Sequence, residues 1–275
     1  MEIRWAFNAL SWKPTKQQLL SALSAVSQEE NERIQKFRFQ DDYKLCLIGR
    51  LMIRHCIKSA LGISWKNIKL RRNEKGKPEL ANMLKSNETF FFNVSHQGDY
   101  TVLAASTRQN VGVDVMKVVT PNNTDIPSFF KLMRRQFVED EWNYIYSFQK
   151  EWLQLKAFYR LWCLKESYVK AIGTGIGTNS AEYMMFDVNT RSLDINRPCS
   201  DSVLYVKNIK KDWTFSEYLL DDDHIVAVAT GRKEPVSVDH FDFLTFDDFT
   251  EELEAVLPID GNWWNVYESK NTKKY

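Results

Sequence analysis

An α+β fold is predicted for this chain by three observations. Helical periodicity comes first and strand-like runs follow, and that order recurs on either side of a polar break at residues 121–125. The strand-like runs look antiparallel, with turn residues between them. Length agrees: 275 residues with 44% apolar and 13% aromatic side chains suit one large domain or two of moderate size. The expected division is 1–120, 121–231 and a charged, aromatic extension at 232–275.

Glu2-Ile3-Arg4-Trp5-Ala6-Phe7 alternates like a strand. Residues 15–40 read as helical, with Ser27 and Glu30 placed as a capped start. Asp41 and Asp42 precede an amphipathic helix near 42–60, which carries Leu45, Ile48, Met52, Cys56 and Ile57 on one side. Gly62 stops it. Strands are expected near 66–71, 90–94, 100–106 and 111–118, with a loop at Lys75-Gly76-Lys77-Pro78. Beyond the break, Pro127 suits the first position of a helix. Helices are expected at 127–147 and 150–172, the second closed by Gly173. Strands follow near 182–188, 203–208, 213–220 and 224–230. No residue-level repeat relates the halves. The end, Glu268 to Tyr275, reads as frayed.

Charges nearly cancel, 37 basic against 36 acidic for a net +1, which argues against a general nucleic-acid binder. Basic residues still cluster locally at Lys69, Arg71 and Arg72, with Lys75 and Lys77, where they would face a small polyanion. Cys46, Cys56, Cys163 and Cys199 show no metal spacing and read as free thiols in a reduced, cytosolic setting. No apolar run reaches eighteen residues, so no membrane span is expected. Residues 3–28 are acid-poor and contain serine, features that a transit peptide shares.

Two stretches carry the chemistry. On the helix near 150–172, Trp162, Glu166 and Lys170 are four apart, so a carboxylate and an ammonium share one face. Upstream, Asn110 to Val115 is a β-branched run holding Asp114, and an acid in an apolar strand is costly to bury unless it is paired or holds a metal. By periodicity alone, Glu166 and Lys170 are a solvated helix pair and Asp114 an edge residue. Two carboxylates on different elements with a lysine nearby are also the parts needed to bind Mg²⁺ and move a phosphate.

Gly112-Val113-Asp114, followed by Trp162-Cys163-Leu164-Lys165-Glu166-Ser167-Tyr168-Val169-Lys170, resembles the signature pair of the Sfp-type phosphopantetheinyl transferases. The two acids stand 166 − 114 = 52 apart. Gly76-Lys77-Pro78-Glu79-Leu80, Phe92-Asn93-Val94-Ser95-His96 and Gly98-Asp99-Tyr100 stand in the family's order too. The runs Arg4 to Phe7, Gly49 to Arg54 and Ser95 to Tyr100 resemble its animal branch.

The resemblance implies two similar α/β halves forming a pseudo-twofold pseudo-dimer with the active site between them, complete within a monomer. It implies transfer of the phosphopantetheine arm of coenzyme A to a serine of apo carrier protein domains, with Mg²⁺, releasing adenosine bisphosphate. The animal branch implies carriers of fatty-acid synthase, of mitochondrial precursors and of an aminoadipate dehydrogenase. Asp114 and Glu166 carry over as Mg²⁺ ligands, with Glu166 also accepting the serine proton and Lys170 offsetting charge on the leaving phosphate. Arg33, Arg72, Lys75, Gly76, Lys77, Asn93, Val94, Ser95 and His96 carry over as CoA contacts, together with Asp114, Glu166 and Lys170.

Met116 stands where many bacterial members have a second acid, so a water is expected in that ligand position. The role of Lys165 stays open, and Arg50 and Arg54 are read as anchoring their helix to an acidic neighbour. Gly173-Thr174-Gly175-Ile176-Gly177 looks like a nucleotide loop but follows its helix instead of opening one, so it reads as a C-cap and turn. Two other functions fit the residues: a Mg²⁺-dependent phosphohydrolase acting on CoA or a nucleotide, and a non-catalytic binding module. The intact Asp114, Glu166 and Lys170 weigh against the module.

Overall fold

The computed structural model describes residues 1–74, 76–85, 88–120, 124–174, 183–231 and 240–272. Lys75 and the turn at 175–177 lie outside them, as do residues 181–182, the start of the strand expected at 182–188. Helices and sheets are segregated along the chain as the α+β expectation requires.

The first strand, β1 (Glu2–Asn8), leads to α1 (Lys16–Ser24) and α2 (Gln28–Gln35), then to the long α3 (Gln40–Leu61). Residues 15–40 therefore hold two helices with a break, the second opening at the Ser27 cap that its sequence predicts. Thr15 and Ser27 each close a capping box, with Gln18 and Glu30 as reciprocal partners, and two such starts cannot belong to one helix. Gly62 ends α3 at φ 67°, the left-handed cap that its sequence position predicts. The strand expected at 66–71 starts later. Trp65–Asn67 form a 3₁₀ turn because the Trp65 ring is buried and its Nε1 donates to the Ala25 carbonyl at 2.7 Å. Only then come β2 (Leu70–Arg72) and β3 (Pro78–Leu80), a small hairpin.

Strands β4 (Phe91–Gln97) and β5 (Tyr100–Ser106) form a hairpin turned at Gly98, φ 61°. A β-carbon at Gly98 would lie 2.5 Å from His224 Nε2 and 2.6 Å from Lys117 Cβ, so glycine is required there twice over. β6 (Val111–Lys117) leaves this sheet for another.

The helix expected at 127–147 is broken in two, α4 (Ile126–Leu132) and α5 (Glu139–Tyr146). Between them Phe137 and Val138 are extended, which buries Phe137 edge-on to Trp142 and Phe158. Pro127 falls at the second helical position, not the first, because Asp125 is the N-cap. α6 (Glu151–Ile172) follows as expected, closed by Gly173 at φ 69°. β7 (Met184–Asp187), β8 (Val203–Val206) and β9 (Ile209–Lys210) make a small sheet. The chain reverses at Lys207 and Asn208, both at positive φ, so the strand expected at 203–208 splits. β10 (Thr214–Leu219) and β11 (His224–Thr230) complete the half.

The strands form two main sheets. With β12 (Asp242–Phe243) included, the first runs β12-β1-β5-β4 and the second β10-β11-β6. Period-2 alternation decides what each face meets. Ile3, Trp5, Phe7, Leu103 and Ala105 pack on α3; Ile225, Ala227 and Ala229 pack on α6. The other faces, Ala6, Val102 and Ala104 against Val113, Val115, Val226 and Val228, meet each other. The order is helix, sheet, sheet, helix. Among the described residues no helix is long and apolar enough to cross a membrane.

The C-terminal extension wraps the first sheet and its helices. β12 pairs parallel with β1, Trp5 opposite Asp242, and α7 (Asp247–Thr250) and α8 (Asn262–Glu268) follow. Residues 268–272 are not frayed as expected. Lys270 Nζ donates to the Gln35 and Phe37 carbonyls, and the Asn271 carbonyl accepts from Gln40 N. Phe249 is fully buried and stacks on Phe7 at 5.9 Å. We expect Phe249→Ala to cost about 3–5 kcal/mol, a large share of a typical folding free energy. Thermal unfolding measures it, and an unshifted transition would show that the extension adds little stability.

Candidate active site

The site is built where α6 crosses β6. Within the buried run of α6, Trp162, Glu166 and Lys170 are the partly exposed positions, so the four-residue spacing does put them on one open stripe. Gly112 makes the crossing close. A β-carbon there would sit 2.1 Å from the Ser167 carbonyl oxygen and 2.4 Å from Ala171 N. Two residues on, Asp114 faces the same helix.

Three polar groups meet at that point. Lys170 Nζ donates to Asp114 Oδ1 at 2.6 Å and to Ser95 Oγ at 2.7 Å, and Ser95 Oγ donates to Asp114 Oδ1 at 2.9 Å. Asp114 is 4% exposed. Its second oxygen, Oδ2, is buried and accepts no hydrogen bond from the described residues. The Cys163 thiol is close by, but it donates to the Ile225 carbonyl at 3.4 Å. Burial, reinforced by the Asp114 charge, holds that thiol well above its ordinary pKa, so it stays neutral. Glu166 is half-buried. Burial first, then the Asp114 charge, push its carboxyl up, against the opposing effect of Lys170.

These residues fit a divalent cation. A buried carboxylate oxygen without a donor costs free energy, and the repulsion that the Asp114 charge exerts on Glu166 is relieved by positive charge. Hard oxygen donors are the type that Mg²⁺ takes. Another set of ligand-type atoms, on Cys199, Asp201 and Glu217, lies within 4.8 Å of one another. It is no rival, because Glu217 is held by Arg160 at 2.6 and 3.0 Å and by Ser202 at 2.6 Å.

A cleft of about 940 Å³ opens beside this point, between the β2–β3 hairpin, the start of β4 and the end of α6. Arg71, Arg72, Lys77, Phe91, Ala171 and Gly173 are on its wall. Asp114, Glu166 and Lys170 are not; they adjoin it through Val111 and Ala171. Lys77 joins the two regions, its Nζ donating at 2.8 Å to the Lys170 carbonyl. That carbonyl is in the last turn of α6, where a cation also meets the negative end of the helix dipole. Burial lowers the pKa of Lys77. Arg72 Nη1 donates to the Gly76 carbonyl at 2.7 Å, and its Nε reaches Glu29 at 3.4 Å.

The other expected contacts scatter. His96 is exposed near the end of β4, and Arg33 is exposed on α2, outside the described cleft wall. Val94 packs on the core of the first sheet. Asn93 is buried, its Oδ1 accepting from Val113 N at 3.0 Å.

Several ionic residues off the open stripe turn out to be structural. Lys165 is 2% exposed and paired with Glu141 at 2.7 Å. Arg54 pairs with Glu30 at 2.9 Å, as the anchoring expectation for α3 requires. The Arg160–Glu217 pair was missed. Its only sequence signal is an arginine on the apolar side of α6.

The family is settled by comparison. Residues 10–108 match the family described as 4'-phosphopantetheinyl transferase, N-terminal, and residues 110–229 match the 4'-phosphopantetheinyl transferase superfamily. The L-aminoadipate-semialdehyde dehydrogenase-phosphopantetheinyl transferase of Mus musculus is 40% identical over 280 residues, 96% of this chain and 90% of that one. The chain belongs to the phosphopantetheinyl transferase superfamily. Its Homo sapiens relative of the same description is 39% identical over the same shares. A phosphopantetheinyl transferase of Thraustochytrium sp. is 36% identical over 82% of this chain and 77% of its own. The protein is thus a transferase, and none of these matches supports the phosphohydrolase reading. The junction between the two matched segments falls just before β6, the strand that carries Asp114 into the second sheet.

Proposed function

We propose that this transferase moves the phosphopantetheine arm of CoA to a serine of apo carrier domains in a Mg²⁺-dependent reaction, as a cytosolic monomer. An aminoadipate dehydrogenase carrier is the first substrate to test, since the mammalian relatives are named for that protein. Carriers of fatty-acid synthase and of mitochondrial precursors are proposed on the same likeness. The observation that carries the metal part is the buried Asp114 Oδ2 beside Glu166, an oxygen with no hydrogen-bond partner among the described residues.

Asp114 and Glu166 would hold Mg²⁺ together with the CoA pyrophosphate, with a water in the place that an acid at Met116 would take. Bound there, Mg²⁺ supplies charge neutralisation at the phosphoryl oxygens. The carrier serine attacks the phosphorus that bears the pantetheine arm, and the bond to the adenosine bisphosphate oxygen breaks. Glu166 takes the serine proton, directly or through a water, its raised pKa suiting a base near neutral pH. Lys170, one turn on, offsets charge on the leaving phosphate. Arg72, Lys75, Lys77 and His96 are proposed to face the CoA phosphates, with Gly76 letting the loop approach, Ser95 and Val94 at the strand, and Arg33 further out. We divide the chain into halves 1–120 and 121–231 with an extension 232–275, the halves forming a pseudo-dimer about the site.

The deciding experiment incubates the protein with CoA, Mg²⁺ and an apo carrier domain and weighs the carrier by mass spectrometry. A mass gain supports the reading; CoA cleavage without labelling would replace it with hydrolysis. The cradle is tested with CoA and dephospho-CoA. Arg72→Ala and His96→Ala should weaken CoA about tenfold at whichever residue meets the ribose phosphate, and dephospho-CoA much less. Equal small losses for both ligands would place the phosphates elsewhere.

A further inference from the structure

The two sheets meet along their edge strands β4 and β6, and side chains bridge them. In β6 the ladder with β11 uses the N–H groups of alternate residues, and the other set points away from β11. A buried N–H without an acceptor is costly. Two of the outward set, on either side of Asp114 in sequence, are satisfied by amide oxygens from β4. Val113 N donates to Asn93 Oδ1 at 3.0 Å, and Lys117 N donates to Gln97 Oε1. Between those amides, Ser95 donates to Asp114 Oδ1. Residues 93, 95 and 97 share one side of β4 because side chains alternate, so the seam is a three-rung bracket centred on Asp114.

We infer that Asn93 is a positioning residue for Asp114, setting the register of β6 against β4 and thereby the place of the carboxylate relative to Ser95 and Lys170. Its amide oxygen is spent on Val113, and at 7% exposure it lies within the seam. Slippage of this edge by even part of a residue would move Asp114 off Ser95 and Lys170, and misplacement of about 1 Å can cost on the order of 100-fold in rate. The inference rests on the role proposed for Asp114, so Asp114→Ala is measured in parallel. If that variant transfers normally, the reading of the site fails, whatever Asn93 does.

The test is steady-state transfer by Asn93→Leu, which keeps shape and removes the acceptor, and by Gln97→Met at the more open end of the seam. For Asn93→Leu, kcat should fall roughly 10- to 100-fold with the KM for CoA within about twofold, and the Val113 amide should exchange with deuterium faster. For Gln97→Met, kcat should fall about threefold, with faster exchange at Lys117. A tenfold rise in the KM for CoA with kcat retained would make Asn93 a CoA contact and overturn the inference. So would a folded Asn93→Leu enzyme with both constants unchanged. Should Asn93→Leu not fold, Gln97→Met decides: faster Lys117 exchange with an unchanged kcat refutes positioning.

Discussion

Asp114→Ala should give a folded protein whose carrier labelling has fallen about a thousandfold or more. The fold survives because two effects oppose. Losing Asp114 Oδ1 removes the acceptor for Lys170 and Ser95, worth roughly 1–3 kcal/mol for a charged hydrogen bond. Losing Oδ2 removes a buried oxygen that no donor among the described residues satisfies, which returns a comparable amount. Lys170, 29% exposed at its side chain, is then free to turn its ammonium to water. Catalysis has no such compensation. Asp114 is one of the two carboxylates that would hold Mg²⁺, and removing a phosphate-bridging metal costs about 4 kcal/mol of barrier or more, or roughly three powers of ten. Circular dichroism and mass-spectrometric labelling of the carrier check both halves of this expectation. Near-normal transfer by a folded Asp114→Ala protein would end the assignment of Asp114 as ligand.

The parts of the fold that were legible in the sequence are those where a local rule and the tertiary environment agree. Strands at 100–106 and 224–230 and the helix ending at Ile172 fall where they were expected, because their patterns are long and the helix's stop signal, Gly173, acts alone. The misplaced elements are those where one buried side chain overrules periodicity. Trp65 delays a strand by anchoring to Ala25, and Phe137 breaks a helix to reach Phe158. Neither partner is local, so neither break has a local signal.

The site shows the same division. The stripe of Trp162, Glu166 and Lys170 is a consequence of 3.6-residue periodicity and could be read directly. That Lys170 meets Asp114 and Ser95 depends on how closely β6 approaches α6, for which Gly112 is the only trace in the sequence. Asn93 and Gln97 belong to the seam because two sheet edges happen to meet there. An edge strand needs its outward N–H groups covered, but no pattern in residues 91–117 announces which groups will cover them. Lys165 shows the converse: beside Glu166 in the motif, it is aimed at Glu141 on another face.

Glu166→Gln should lose transfer by roughly 100- to 10,000-fold while gaining stability at neutral pH. The sign follows from the direction of the shift. Burial and the Asp114 charge raise the Glu166 carboxyl in the folded state, so that state binds the proton more tightly than the unfolded chain does. Stability from this group is fully present below the unfolded carboxylate pKa. It falls as pH rises through the window up to the raised folded value, and above that it stays lower. Glutamine cannot ionise, so the variant escapes this loss. It should melt above the parent at about pH 8 and at much the same temperature at about pH 4, near the unperturbed glutamate value. The parent's rate should fall on the acid side at a pH above the ordinary carboxylate range, and higher Mg²⁺ should move that limb down, since a cation favours the ionised form. Equal melting shifts at both pH values would show that the Glu166 charge is not what burial penalises. Titrating Mg²⁺ against the variant separates its two roles. A rate that stays low at saturating Mg²⁺, with CoA affinity retained, makes Glu166 the base that takes the serine proton. A rate that returns with excess Mg²⁺ makes it chiefly a ligand, and leaves the proton to water.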